Sequence, residues 1–133
     1  TTLGIIREPV IYRRTVTEEK FSQIVAATVY ELDVLKQSFP KGTPFVVLIA
    51  PGRFEIFNQD EHYNRLRLAV RAKLTESAIT FADPFESFKQ AGYYQVQFAH
   101  DGHWSPLGHK LAAKEASEVL KPLFQKNKNV SLK

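Results

Sequence analysis

Phe45-Val46-Val47-Leu48-Ile49-Ala50 decides the predicted fold, because it is the longest uninterrupted apolar run in the chain. Pro44 stands immediately before it and Pro51-Gly52 immediately after it, so residues that interrupt regular structure mark both of its ends. A short apolar run rich in β-branched residues is typical of a strand that is covered on both faces. We therefore predict that residues 45–50 form the central strand of a parallel sheet.

Helical patterns flank this strand on both sides. Apolar residues recur at steps of three and four before it, which predicts a helix over residues 16–38 that is ended by Pro40 and Gly42. A similar pattern after it predicts a second helix over residues 59–75. Each helix begins near a pair with capping-box spacing, namely Thr15 with Glu18 and Asn58 with Glu61.

The remaining elements continue this alternation of helices and strands. Residues 78–82 form a short apolar segment that ends at Asp83-Pro84, which predicts a second strand, and residues 85–90 have room for one or two helical turns. A last helix follows Ser105 as its cap, with Pro106 at its first position. This order predicts an α/β layered domain with parallel strands and right-handed crossovers.

The composition is that of a single globular domain. The chain has 133 residues, of which 44% are hydrophobic and 24% are charged, and its longest apolar run is too short to cross a bilayer. We treat residues 1–133 as one domain with an extended arm over 1–15, interrupted by Pro9, and a basic tail over 125–133. The absence of cysteine excludes disulfide and thiolate chemistry.

The positive charge is concentrated near the C-terminal end. The formal net charge is +4, and residues 110–133 contain six lysines against two glutamates. Nucleic-acid binding requires many phosphate contacts, usually with aromatic or arginine side chains among them, and the tail lacks both. We expect a solvated tail and no nucleic-acid partner.

Residues 99–109 concentrate the side chains that are suited to catalysis. This stretch, Ala-His-Asp-Gly-His-Trp-Ser-Pro-Leu-Gly-His, holds three of the four histidines and the only tryptophan. If the chain bends at Gly102, Asp101 and His103 face each other, and the carboxylate then fixes one ring nitrogen of the imidazole. The other ring nitrogen remains available as a general base, so the pair forms two-thirds of a hydrolytic triad.

The string from Asp101 to Ala113 resembles the C-terminal block of SGNH/GDSL-type hydrolases, in which an Asp and a His precede a Gly-His and the last helix. The order of helices and strands from about Thr17 onward is similar to the second half of that family's fold. The resemblance implies a three-layer flavodoxin-like sandwich with parallel strands, of which this chain holds the C-terminal part. The chain begins at Thr1 and contains no methionine, so we expect a processed product or a part of a longer protein.

The resemblance also implies a role for each member of the pair. His103 is expected to act as the general base toward a serine, and Asp101 is expected to orient it. The sequence contains no Gly-Asp-Ser, the nucleophile block of that family, so the serine is expected from an N-terminal segment of the same fold on a separate or cleaved chain. The implied function is a serine esterase or O-acyltransferase that acts on acyl esters of carbohydrates or lipids. No cofactor and an extracytoplasmic location are implied, and this chain is not expected to be active alone.

Two further residues are candidates for substrate binding. Trp104 stands beside His103 and is expected either to line an acyl or sugar pocket or to cover the last helix as a hydrophobic lid. Arg53 follows the first strand, on the side where ligands of open α/β sheets bind. It is expected either to bind a substrate anion or to be a surface arginine that interacts with Glu55 or with solvent.

Two other functions remain open on the sequence alone. The four residues of metal-ligating type in the central stretch lack the spacing of a metal site, so we expect no metal there; they are His100, Asp101, His103 and His109. The alternative to an enzyme is a non-catalytic SGNH-like module that binds a carbohydrate or a partner protein.

Overall fold

The computed structural model describes residues 16–130, so the predicted arm over residues 1–15 lies outside the described part. Six helices and two strands occur within this range. In chain order they are α1 (Glu18–Gln37), β1 (Val46–Leu48), α2 (Arg53–Ile56), α3 (Glu61–Glu76), β2 (Thr80–Ala82), α4 (Phe85–Ala91), α5 (Tyr93–Val96) and α6 (Pro106–Val130). None of these helices is long and apolar enough to span a membrane.

The two strands form a parallel pair at the centre of the first core. Val47 lies in register with Phe81, and the Ile49 backbone N–H donates to the Ala82 carbonyl just beyond the paired residues. The side chains of Val47 and Phe81 pack against buried residues of the flanking helices, Val29 of α1 and Leu74 of α3. Helix α6 also lies against both strands. Helices α1, α3 and α6 therefore all pack against the two strands.

The predicted three-layer flavodoxin-like sandwich is wrong. Helix makes up 65% of the structure and strand 7%, and the sheet of the described part contains two strands only. The expected central strand over residues 45–50 shortens to Val46–Leu48, and Leu48 is 41% exposed instead of covered. Within residues 16–130, β1 has β2 on one edge and no strand on the other. An apolar strand covered on both faces needs more neighbours than these residues supply.

The caps of the two long helices near the strands each lie two residues after the predicted cap. Thr17 caps α1 by accepting from the Lys20 N–H at 3.2 Å. Asp60, and not Asn58, caps α3, because its carboxylate accepts from the His62 N–H at 2.9 Å and from the Tyr63 N–H at 3.3 Å. Gln59, immediately before this cap, has a φ of 51° and separates α2 from α3.

A second core supports the start of α6. Phe88 of α4 and Val96 of α5 are fully buried, and Ala112 of α6 packs against them. Residues 93–96, which precede the loop, form the short helix α5. Gly92 caps the end of α4 and the start of α5. Its φ of 89° is a backbone conformation that glycine adopts without strain. This core fixes the two ends of the loop that carries Asp101 and His103.

Candidate active site

The loop between α5 and α6 closes on itself through backbone hydrogen bonds. The Phe98 N–H donates to the His103 carbonyl at 3.1 Å, and the Ser105 N–H donates to the Val96 carbonyl at 2.8 Å. Gln97 and Trp104 form an antiparallel bridge between these two bonds. Residues 98–103 are thus held as a short, closed loop on the second core.

The structure brings Asp101 and His103 together at the tip of this loop. The same carboxylate oxygen, Oδ1 of Asp101, accepts from the His103 backbone N–H at 2.9 Å and lies 3.1 Å from the His103 Nδ1. The chain bends at Gly102, as predicted, and this bend places the Asp101 carboxylate beside the backbone N–H and the ring of His103. An aspartate that accepts from the N–H two residues later forms a local turn. The ring nitrogen Nε2 lies on the side of the imidazole away from the carboxylate.

The pair is exposed, with 84% of the His103 side chain and 57% of the Asp101 side chain accessible to solvent. The hydrogen bond from the His103 backbone N–H lowers the pKa of Asp101 below its ordinary value of 3.8, and the imidazole lowers it further. The carboxylate therefore remains ionised at all but strongly acidic pH. An ionised carboxylate on Nδ1 favours the tautomer in which Nε2 accepts a proton.

Trp104 packs its ring against the second core. The indole is half-buried and packs edge-on against Phe88, with ring centroids 5.1 Å apart, and it lies 5.6 Å from the ring of His109. His109 itself is exposed on the first turn of α6. The expected role of Trp104 as a hydrophobic lid fits these contacts, while its expected role in substrate binding stays a prediction.

The start of α6 is built by Ser105 and Gly108. The Ser105 hydroxyl accepts from the Gly108 N–H at 3.2 Å, which is a helix cap, and donates to the Gln95 carbonyl at 2.5 Å. Gly108 is buried, and a Cβ at this position would overlap the Val96 carbonyl oxygen and lie 3.0 Å from the Cβ of Trp104. The Ser-Pro-Leu-Gly sequence thus positions the loop from its C-terminal side.

Replacing Ser105 by alanine is expected to lower the free energy of unfolding by about 1 kcal/mol, because the first turn of α6 loses its cap. Chemical denaturation followed by far-ultraviolet circular dichroism measures this change. Ser22, exposed on α1, is the matched control, and Ser22→Ala should leave stability unchanged or slightly higher. Equal losses in the two variants would show that the Ser105 hydroxyl does not cap α6.

Arg53, the other residue predicted to bind substrate, lies on a different element from the pair. It begins α2, is exposed, and its guanidinium is 5.7 Å from the ring of Phe54. Glu55, named in the alternative prediction as a partner of Arg53, is buried and pairs with Arg67. The role of Arg53 toward a substrate stays a prediction.

Sequence reasoning missed the buried polar cluster around Arg67. The guanidinium of this α3 residue donates to Glu55 at 2.9 Å, to Asp83 at 2.6 Å and to the Asn64 side-chain oxygen at 2.8 Å. Asp83 accepts from the Phe85 N–H at 3.1 Å, and it also pairs with Arg71. Burial raises the pKa of Glu55, and the hydrogen bond from Arg67 acts in the opposite direction. Arg67 occupies a position on the apolar face of α3, which was the one available signal in the sequence.

No group of three or more metal-ligating side chains lies close enough together in residues 16–130 to hold an ion. Comparison of the chain with family models, with curated proteins and with solved structures gives no match.

Proposed function

We propose that Asp101 and His103 form the acid–base part of an SGNH-like serine esterase or O-acyltransferase. The observation that carries this proposal is the fixed, exposed imidazole: Asp101 holds the Nδ1 side of the ring at 3.1 Å, while 84% of the His103 side chain faces solvent. A carboxylate that holds one ring nitrogen and leaves the other accessible is the arrangement a general base requires.

In this reaction, Nε2 of His103 removes the proton of a serine hydroxyl while the serine oxygen attacks the ester carbonyl. The imidazolium formed is stabilised by Asp101 and then gives its proton to the departing alkoxide, which leaves an acyl-serine. A water molecule or an acceptor hydroxyl, deprotonated by the same nitrogen, releases the acyl group as an acid or a new ester. Each proton that His103 takes up is returned, so the pair is regenerated.

The serine is supplied by a segment other than residues 16–130. Within this range the hydroxyls of Ser38, Ser87 and Ser105 each donate to a nearby backbone carbonyl. Ser22 and Ser117 lie within the regular helices α1 and α6, and Ser77 is the C-terminal cap of α3. A nucleophile instead needs a hydroxyl within hydrogen-bonding reach of the base. The unpaired edge of β1, with exposed Leu48 on the same strand, is where we place the added segment.

The test is labelling with a fluorophosphonate, which reacts covalently with serines that a neighbouring base activates. The complete protein, isolated with any chain that accompanies it, should take up the label at one serine outside residues 16–130. His103→Ala should reduce the labelling rate by about 10²-fold or more, because the general base is lost. Mass spectrometry of the labelled peptide locates the serine.

His100→Ala is the matched control. His100 is an exposed histidine of the same loop, and Asp101 pairs with His103 instead of with His100. It should leave labelling unchanged. Labelling that is equally fast in the wild type and in His103→Ala would remove His103 from its role. An absence of any labelled serine would instead support the non-catalytic module that binds a carbohydrate or a partner protein.

A further inference from the structure

A cavity of about 640 Å³ lies among α2, α3, α4 and the start of α5. Its volume is within the range of roughly 300–1,000 Å³ that is usual for sites of small ligands. Neither Asp101 nor His103 lines it, so it is a separate feature from the candidate active site. We call it the α3–α4 cavity.

The inner wall of the α3–α4 cavity carries two opposite charges that pair with each other. Arg67 and Glu55 line it, are 6% and 7% exposed, and pair with each other. The contacts of Arg67 with Glu55, Asp83 and Asn64 use three of its five N–H groups, which leaves one on each terminal nitrogen for a ligand. The wall thus offers hydrogen bonds without offering an uncompensated charge.

The rim carries the same balance of charge. Glu86 and Lys89, both exposed and both on α4, line the opening with one charge of each sign. Together with Arg67 and Glu55 they give two positive and two negative groups among the lining residues. A ligand with a net charge would therefore face a repelling group for every attracting one.

Aromatic surface completes the lining. Phe85 and Tyr93 both line the cavity and are 7% and 9% exposed. The Phe85 ring lies 3.8 Å from the Arg67 guanidinium, which covers part of it. The Tyr93 ring also packs against Phe57 and Tyr94, with ring centroids 4.9 Å and 5.1 Å away, so only the remaining part of this ring faces the cavity. Aromatic surface beside neutral hydrogen-bonding groups suits a ligand that has one apolar face and several hydroxyls.

Gln59 adds a polar side chain to the rim of the cavity. It lines the α3–α4 cavity and has a φ of 51°, a left-handed conformation that is costly for a residue with a long side chain. Strain of this kind is concentrated at ligand-binding positions, where a side chain is required in spite of its backbone cost. The amide of Gln59 can both donate and accept hydrogen bonds.

We propose that the α3–α4 cavity binds a neutral carbohydrate, with the apolar face of a sugar ring on Tyr93 and its hydroxyls on Arg67, Asn64 and Gln59. This goes beyond the proposed ester chemistry and does not depend on it, because the two sites share no residue. A free sugar and the sugar portion of a larger glycan present the same chemistry to the cavity.

The test is a titration of the full chain, labelled with ¹⁵N, with glucose, N-acetylglucosamine and cellobiose, followed by nuclear magnetic resonance. At least one neutral sugar should shift the side-chain amide signals of Gln59 and Asn64 at concentrations of about 10 mM or less. Glucuronate, glucosamine and glycine test the anionic, cationic and zwitterionic alternatives and should bind about tenfold more weakly. The proposal is overturned if no neutral sugar shifts these signals, or if one of the charged compounds binds more tightly.

Gln59→Gly distinguishes binding from a structural role. Glycine adopts the left-handed backbone without strain, so the melting temperature should be unchanged or higher, while affinity for the sugar should fall about fivefold or more because the amide is lost. Ala78→Gly is the matched control, since Ala78 has a φ of 52° and does not line this cavity. It should leave sugar affinity unchanged. Equal affinity in wild type and Gln59→Gly would overturn the assignment, and fluorophosphonate labelling is expected to be unaffected in either variant.

Discussion

Replacing Gly108 by alanine is expected to lower the free energy of unfolding by about 3 kcal/mol, because the added methyl group cannot be placed without moving the backbone. The methyl would overlap the Val96 carbonyl oxygen, which already accepts from the Ser105 N–H, and would lie 3.0 Å from the Cβ of Trp104. Both neighbours belong to the second core or its rim, so neither can shift without disturbing Phe88. Urea denaturation with tryptophan fluorescence measures the loss.

Gly102→Ala is the control for this prediction. Gly102 lies in the same loop, and a Cβ added there meets nothing within 4 Å. Its backbone is outside the left-handed region, so we expect a change within about 0.5 kcal/mol. If Gly108→Ala is as stable as Gly102→Ala, α6 does not approach the end of α5 as closely as the structure shows.

Replacing Arg67 by methionine is expected to lower the free energy of unfolding by about 3–5 kcal/mol, since it removes one partner from a buried ionic cluster. Methionine retains the length of the side chain, but Glu55 loses its cation and Asp83 loses its shorter contact. Thermal or urea denaturation at neutral pH gives the size of the effect. Arg71→Met is the control, because Arg71 is 41% exposed and reaches Asp83 at 3.1 Å, so its loss should cost less than about 1 kcal/mol.

The pH dependence of the Arg67→Met variant provides a second readout. Burial raises the pKa of Glu55 above its ordinary value of 4.5, so the stability that its protonated form contributes is complete below about that pH and is lost as the pH rises through the pKa of the folded state. Arg67 opposes this effect by stabilising the carboxylate. Without Arg67, stability should fall more steeply between pH 4.5 and neutrality than in the wild type. Parallel curves for the two proteins would show that Arg67 does not stabilise the charged form of Glu55.

The sequence allowed the helices to be predicted more reliably than the sheet. Helices α1 and α6 are specified by local periodicity and caps, and Ser105 and Pro106 mark the start of α6 as expected. The sheet depends on pairing partners that local sequence does not report. The apolar run over residues 45–50 predicted a fully covered strand, but β1 spans three residues and has one neighbour in the described part.

The two groups of polar residues also differ in how far the sequence reveals them. Asp101 and His103 are two residues apart, so a local turn is enough to bring them together and sequence spacing could reveal it. The cluster of Glu55, Arg67 and Asp83 joins α2, α3 and the end of β2. In the sequence, Glu55 and Asp83 look like ordinary surface charges, and only the position of Arg67 on the apolar face of α3 indicates burial. Only the fold shows that the three side chains are buried against one another.

The closed loop between Phe98 and His103 has a consequence for how this protein can diverge. The geometry of Asp101 and His103 is specified by three consecutive residues, and the loop is anchored through its backbone to Val96 and Ser105. Substitutions at the exposed positions around the pair therefore need not disturb either core. Evolution can vary the surroundings of the imidazole independently of the framework that keeps the chain folded.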